Sequence, residues 1–393
     1  MATIALETKA QLSPSTDHLL AEHRGASTYE PPSYDSDDSG VSTQSSRRRR
    51  TQLVWDLEEN SKRPWGARRL WNSVWVRLWL FLAAVVTLVI CYYAAETALL
   101  NYSARAGNSD LEFLLERWQE PTQDWYPRDF TLDVLPKPIH SHNDYWRRVP
   151  LYLGIKYGCV STEADVWLIN DELYVGHDRS SLTRNRTFTS LYVNPLTEIL
   201  KIMNPDTEFA NNTNNGVFDT DPNQTLYFFI DLKTAGVPTY YKILEQLKPL
   251  LDANRLTTFE NGKIHYRPVS VILTGNSPFD EVIKNKTFRY YFHDAPITEL
   301  ASGKYDNTTS LFANGDFQKV VGGKSYPYTF KEGYLKKDER KRLKEQVEEA
   351  HRRGIAVRYW NVPFWPIGWR NGIWKEVVKG GVDLLSVDDI KVC

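Results

Sequence analysis

Three histidines and several acids crowd one short part of the chain, from Pro138-Ile139-His140-Ser141-His142-Asn143-Asp144 to Gly176-His177-Asp178. Between them runs a largely apolar segment, Cys159-Val160-Ser161-Thr162-Glu163-Ala164-Asp165-Val166-Trp167-Leu168. A β-strand sends successive side chains to opposite faces, so residues two apart share a face. Glu163 and Asp165 therefore point the same way. Two carboxylates that close repel, and burying them without a counter-charge is costly. A divalent cation between them is the simplest resolution. Histidines before and after the strand would flank that ion, which is the layout of acid–base chemistry beside a bound metal.

The pattern repeats in Leu226-Tyr227-Phe228-Phe229-Ile230-Asp231-Leu232-Lys233, where Asp231 and Lys233 share a face. Alone, that pair reads as an ion pair. Next to a strand carrying Glu163 and Asp165, it reads as part of one charged site.

These residues need rigid elements beneath them. Apolar strand candidates occur at 137–140, 159–168, 226–232, 269–274, 288–293, 311–314, 355–360 and 383–387. Helical periodicity fits 190–203, 238–253 and 337–353 between them. Strands alternating with helices predict a parallel sheet covered by helices. Eight such strands in residues 136–393 predict an α/β fold of the (β/α)8 barrel type; a doubly wound open sheet is the alternative. In a barrel, catalytic groups sit at the C-terminal ends of the strands. His140 and His142 follow the first strand, His177 and Asp178 follow an extension of the second, and His293-Asp294 follows the fifth. No Gly-x-Gly-x-x-Gly or phosphate-loop motif points to a nucleotide.

Ahead of this region, residues 1–70 are rich in Ser, Thr, Pro and charge and are expected to be a disordered tail. Pro31-Pro32-Ser33-Tyr34 matches the ligand of WW domains; a Pro-containing tail with no partner is the alternative. Leu78 to Ala95 holds no charged residue and, as a helix, spans roughly 27 Å, close to the bilayer core. A transmembrane helix over 76–98 and a stalk over 99–135 follow. Arginines and lysines crowd its N-terminal side, which predicts a cytoplasmic tail and a luminal or extracellular C-terminal part in the secretory or endomembrane system. Asn-x-Ser/Thr sequons at Asn101, Asn185, Asn211, Asn223, Asn285 and Asn307 all follow the apolar run and none precedes it, which agrees with that orientation. The net charge of −1 offers no basic field for nucleic acid. With Cys91, Cys159 and Cys393 the only cysteines, a disulfide framework is excluded, although a Cys159–Cys393 pair is not.

The Glu-x-Asp strand, Gly-His-Asp, Phe-Ile-Asp-Leu-Lys-Thr and the histidines after strand one together resemble the phospholipase C-like phosphodiesterases, the superfamily of glycerophosphodiester phosphodiesterases and sphingomyelinase D-type phospholipases. His140-Ser141-His142-Asn143-Asp144-Tyr145 with Glu163-Ala164-Asp165-Val166-Trp167-Leu168 is most similar to the fungal family called altered inheritance of mitochondria protein 6. The resemblance spans about residues 136–393, including Tyr359-Trp360-Asn361. It implies a metal-dependent phosphoric diester hydrolase acting on glycerophosphodiesters or phospholipids. Glu163, Asp165 and Asp231 would ligate Mg2+ or Ca2+. His140 or His142 would work with His177 as base and acid, the attacking group being a hydroxyl adjacent to the phosphodiester. Lys233 and Asn143 would contact the phosphate, Trp360 would wall the pocket, and Asp178 would orient His177. The sequence departs from the glycerophosphodiesterase pattern in lacking the arginine of His-Arg-Gly, for which Arg147 or Arg148 is a candidate replacement. A catalytically inactive luminal module that binds phospholipid or phosphate is the competing reading.

Overall fold

The computed structural model describes residues 65–106, 131–323 and 334–392. The expected WW ligand at Pro31–Tyr34, most of the tail and stalk, Cys393 and the side chain of Asn101 lie outside the described residues. By its contacts the chain divides into Met1–Ala83 and Ala84–Cys393. Helix α1 (Trp65–Ala106) begins in the first unit and continues into the second. It starts inside the stretch that composition assigns to the tail and is longer than the expected 76–98. Within it, Ser73–Leu99 is 27 residues of mean hydropathy 2.4 with none of the window buried, so it is a candidate membrane span by length and composition.

The rest of the second unit is mixed α/β. Its strands are β1 (Lys137–Ser141), β2 (Cys159–Ile169), β3 (Glu172–Val175), β4 (Leu226–Leu232), β5 (Thr258–Glu260), β6 (Lys263–His265), β7 (Val269–Gly275), β8 (Phe288–Arg289), β9 (Phe292–His293), β10 (Ala295–Pro296), β11 (Phe312–Asp316), β12 (Ala356–Trp360) and β13 (Leu385–Val387). Strands β13, β1, β2, β4, β7 and β9 lie side by side in that order and pair in parallel, and β3 folds back antiparallel on β2. Strands β10, β11 and β12 form a second parallel sheet. Only Asp294 separates β9 from β10, and Arg358 of β12 makes a parallel bridge to Leu384, next to β13.

The strand candidate at 288–293 does not form one strand. Phe288–Arg289 joins the small antiparallel sheet β6-β5-β8, and only Phe292–His293 joins the parallel set. The expected helix 238–253 is also two helices, Gly236–Gln246 and Lys248–Asp252, because Pro249 has no N–H for the continuing ladder and suits the first turn of a new helix.

The parallel strands are nearly continuous apolar runs because they are covered on both sides. Helix α2 (Asn194–Met203) buries Leu196, Ile199, Leu200 and Met203, an i, i+3, i+4, i+7 stripe. Helix α3 (Lys337–Arg352), reached after β11, is charged on its outer face and buries Leu343, Val347 and Ala350 against β11 and β12 neighbours such as Ala313 and Val357. Its N-terminus is pinned by Glu339, whose carboxylate accepts the Lys336 N–H at 2.8 Å and the Gly323 N–H at 3.0 Å. Glu339→Ala strands both donors. It is expected to cost about 1–2 kcal/mol, seen as a melting temperature lower by roughly 2–6 °C. An unchanged melting temperature would contradict this account of how the helix starts.

Candidate active site

The parallel register brings Asp165 of β2 level with Asp231 of β4, and Glu163 lies two residues back on the same face of β2. One oxygen from each of Glu163, Asp165 and Asp231 falls within 4.8 Å of the others. That is about the span across a Ca2+ bound at roughly 2.4 Å per oxygen. Among the described residues these are the His, Cys, Asp and Glu side chains that group closely enough to hold a metal ion. The donor set is all oxygen, which suits a hard cation.

The electrostatics fit a site short of positive charge. Burial, reinforced by Glu163, pushes Asp165 up to about 7 against the pull of Lys233. Burial also raises Asp231. Glu163 behaves differently: burial opposes its charge, but His142, His140 and Arg358 outweigh burial and hold it well below the usual range. Lys233 sits between the aspartates, 2.7 Å from Asp231 Oδ2 and 2.9 Å from Asp165 Oδ2. Burial works against its ammonium, yet those two carboxylates raise its pKa.

The two histidines after β1 are in opposite situations. His140 is fully buried. Its Nδ1 meets Ser161 Oγ at 2.7 Å, and its Nε2 takes Arg358 Nη1 at 2.6 Å. Burial, then the Arg358 charge, lowers it to about 3, so the ring is neutral. His142 lines the cleft instead. Its Nδ1 bonds Asp388 Oδ1 at 2.8 Å, and its Nε2 faces Glu163 Oε2 at 3.8 Å. Burial disfavours its charge, but Glu163 and Asp388 prevail and raise its pKa.

His177 comes from the β2–β3 hairpin. Val166 pairs with Val175, the Gly176 N–H donates to Asp165 O, and Trp167 Nε1 donates to Gly176 O at 2.7 Å. That turn aims His177 Nδ1 at the Tyr145 hydroxyl, 3.1 Å away, with Asp165 Oδ2 at 3.8 Å. Tyr145 donates to Asp165 Oδ2 at 2.7 Å, so it links Asp165 and His177. Asp178 is not placed as expected: its carboxylate caps its own loop, accepting from the Ser180 and Ser181 N–H groups. The backbone N–H of Asn143, in the left-handed region at φ 49, donates to Glu163 Oε2 at 3.0 Å, and its side chain donates to Asp388. Trp360 lines the same cleft, of about 960 Å3.

Arg147 does not replace the missing arginine. It donates to the carbonyl oxygens of Asp388, His142 and Val387, bracing the turn behind the site. The buried arginine that lines the cleft is Arg358 on β12, 3.6 Å from Glu163 Oε1 and stacked over Phe229 at 4.4 Å. Sequence reasoning missed Arg358, Asp388 and Tyr145. Arg358 had a signal, because it lies two residues from Trp360 and so shares its face. Arg358→Met leaves Glu163 and Asp294 buried without their cation. A loss of about 3–5 kcal/mol is expected in denaturant unfolding, and a variant as stable as the parent would remove Arg358 from the charge balance.

A family model described as the AIM6-like phosphodiesterase domain matches residues 128–294. The chain is 41% identical over 273 residues to an altered inheritance of mitochondria protein 6 homolog of Arthroderma benhamiae, covering 67% of this chain and 85% of the relative. It is 38% identical over 268 residues to altered inheritance of mitochondria protein 6 of Eremothecium gossypii, covering 64% and 67%. The Saccharomyces cerevisiae protein of that name is 36% identical over 276 residues, covering 66% and 70%. No solved structure matches the chain significantly.

Proposed function

The chain belongs to the altered inheritance of mitochondria protein 6 family, and from that premise we propose that it is a membrane-anchored, metal-dependent phosphoric diester hydrolase acting on glycerophosphodiesters or phospholipids. The observation that carries the reading is the convergence of Glu163, Asp165 and Asp231 within 4.8 Å, with His142 and His177 lining the same cleft.

The strands fit a (β/α)8 barrel. The two parallel sheets adjoin at Asp294 and at the Arg358–Leu384 bridge, and the cleft residues come from strand ends. Glu163, Asp165 and Asp231 would hold one Mg2+ or Ca2+, which when bound neutralises a phosphate oxygen as charge builds in the transition state. Lys233 supplies a point charge to a second phosphate oxygen. His142, steered by Asp388, and His177, steered by Tyr145, exchange protons with the substrate. One takes the proton of the hydroxyl adjacent to the phosphodiester as its oxygen bonds to phosphorus and closes a cyclic phosphate, and the other gives a proton to the leaving oxygen as its P–O bond breaks. His140 has both ring nitrogens engaged and is neutral, so it is assigned a positioning role: it ties Ser161 on β2 to Arg358 on β12. Trp360 walls the cleft, and Asn143 holds Glu163 and Asp388.

Residues 78–95 anchor the chain, with the N-terminal tail cytoplasmic and the catalytic part luminal. The sequon asparagines Asn185, Asn211, Asn223, Asn285 and Asn307 are all exposed, as that topology requires. Pro31–Tyr34 remains a candidate WW ligand. The inactive phosphate-binding module is the second reading, favoured by Lys233 already lying on Asp165 and Asp231.

Headgroup release by the full chain in detergent, on a panel of phosphodiesters, separates the two. Chelator is expected to stop release, and Mg2+ or Ca2+ to restore it. Glu163→Gln, Asp231→Asn, His142→Ala and His177→Ala are each expected to lose at least about a hundredfold in kcat while still melting cooperatively. Gly275→Ala is expected to lose activity too. Gly275 lies at φ +66, and a Cβ there would collide with Asp231 Oδ1. Full turnover in chelator, or by the Glu163 and Asp231 variants, would reject the metal-dependent reading.

A further inference from the structure

Part of the cleft is apolar, and that part comes from strands other than those of the carboxylates. Ile297 follows β10, Gly315 belongs to β11, and Val320 lies just beyond it. Trp360 ends β12, with Val362 and Phe364 in the stretch that follows. These residues adjoin one another. A Cβ on Gly315 would stand 2.8 Å from Ile297 Cγ2 and 3.1 Å from Val320 Cγ2, so both aliphatic side chains close on its backbone. Asp316 pairs with Trp360 in the parallel register, which sets the indole beside the same spot. Ile297, Val320, Val362 and Phe364 have no part in the proposed chemistry, and a substrate that is polar throughout leaves them unused. At the mouth, Phe364 is 70% exposed and Trp360 36%. Apolar surface exposed at the rim of a site marks contact with something apolar. The next residue points to what that is. The Trp365 ring packs on Tyr93 of α1 with centroids 4.9 Å apart. Tyr93 lies within Ser73–Leu99, towards the C-terminal end of the candidate membrane span. Tyr and Trp collect at the level of lipid headgroups. The stretch that walls the cleft thus meets the anchoring helix at headgroup depth.

Resting on the phosphodiesterase reading of the same cleft, we propose that the substrate is a phosphodiester bearing an acyl chain, taken from the bilayer that holds α1. Its phosphate sits at the carboxylates and Lys233, and its chain lies along Ile297, Val320 and Val362 and leaves past Phe364. The proposed ring closure sets one condition on such a molecule: the hydroxyl beside the phosphodiester stays free, so the chain is carried on another oxygen. A wall that serves only to pack the fold, or to seat a protein partner, would give no preference for a chain.

The test is kcat/KM of the full chain, held in amphipol so that no free detergent competes, on glycerophosphocholine and its 1-hexanoyl ester. The two share headgroup and free 2-hydroxyl, and both are monomeric when dilute, so they differ only in the chain. Preference for the ester is expected to be about tenfold or more, the worth of about two buried methylenes. Val320→Asn sets an amide in the wall and is expected to bring the preference below about threefold. A wild-type preference below about threefold overturns the inference, as does a folded Val320→Asn that slows both substrates equally and keeps the ratio. If that variant does not fold, Phe364→Ser, altered at an exposed position, must lower the ratio at least twofold, and an unchanged ratio overturns the inference. If the wild type turns over neither substrate, calorimetric binding of hexyl phosphate against methyl phosphate decides. Hexyl phosphate bound about tenfold tighter then keeps the inference and sinks only the catalytic reading, while equal binding overturns the inference.

Discussion

Parallel pairing of β2 with β4 places Asp165 beside Asp231, and the two-residue period of β2 adds Glu163 to the same face. Like charges that close must be compensated or protonated. The surrounding structure answers this from three directions. Lys233 reaches in from beyond β4, Arg358 from β12, and His142 from the end of β1. The compensation is uneven. Glu163, touched by an arginine and a histidine, keeps its charge, while Asp165 is pushed up to about 7. A cluster left partly uncompensated in this way is suited to receive a further cation.

The same constraint separates two histidines that are two residues apart in sequence. His140 points into the protein, where Ser161 and Arg358 occupy both nitrogens, and burial keeps it neutral. His142, past the end of the strand, turns to the cleft and meets Asp388. The first joins strands β2 and β12 through one ring; the second has a nitrogen facing the carboxylates. His177 depends instead on the β2–β3 hairpin, whose pairing continues β2 past its parallel neighbours and carries the ring to Tyr145.

Much of this was legible in the chain. Glu163, Asp165, Asp231 and Lys233 obeyed the two-residue period, and that period needs only a strand. The parallel sheet followed from apolar strands alternating with helices. The doubt between His140 and His142 could not be settled from sequence, because strand length decides which ring stays inside, and strand ends are weakly encoded. Asp388 lies 246 residues from His142, and no local pattern links them. Asp178 looked like a partner for His177 by adjacency, but a carboxylate three residues before a serine N–H caps its own turn more readily. Arg147 looked like a phosphate clamp by position, yet the carbonyls at the end of β13 claim it. Arg358 offered only its shared face with Trp360, because arginines are rarely buried unless paired and its partners Glu163 and Asp294 lie far from it in sequence.

The central claim is that one divalent cation, in addition to Lys233, neutralises the carboxylates of β2 and β4. Anomalous diffraction from crystals of the full chain soaked in Mn2+ tests it most directly. The account predicts a single peak bonded to oxygens of Glu163, Asp165 and Asp231. Crystals with Mn2+ bound elsewhere, or none bound, while Lys233 Nζ stays on Asp165 and Asp231, would contradict it.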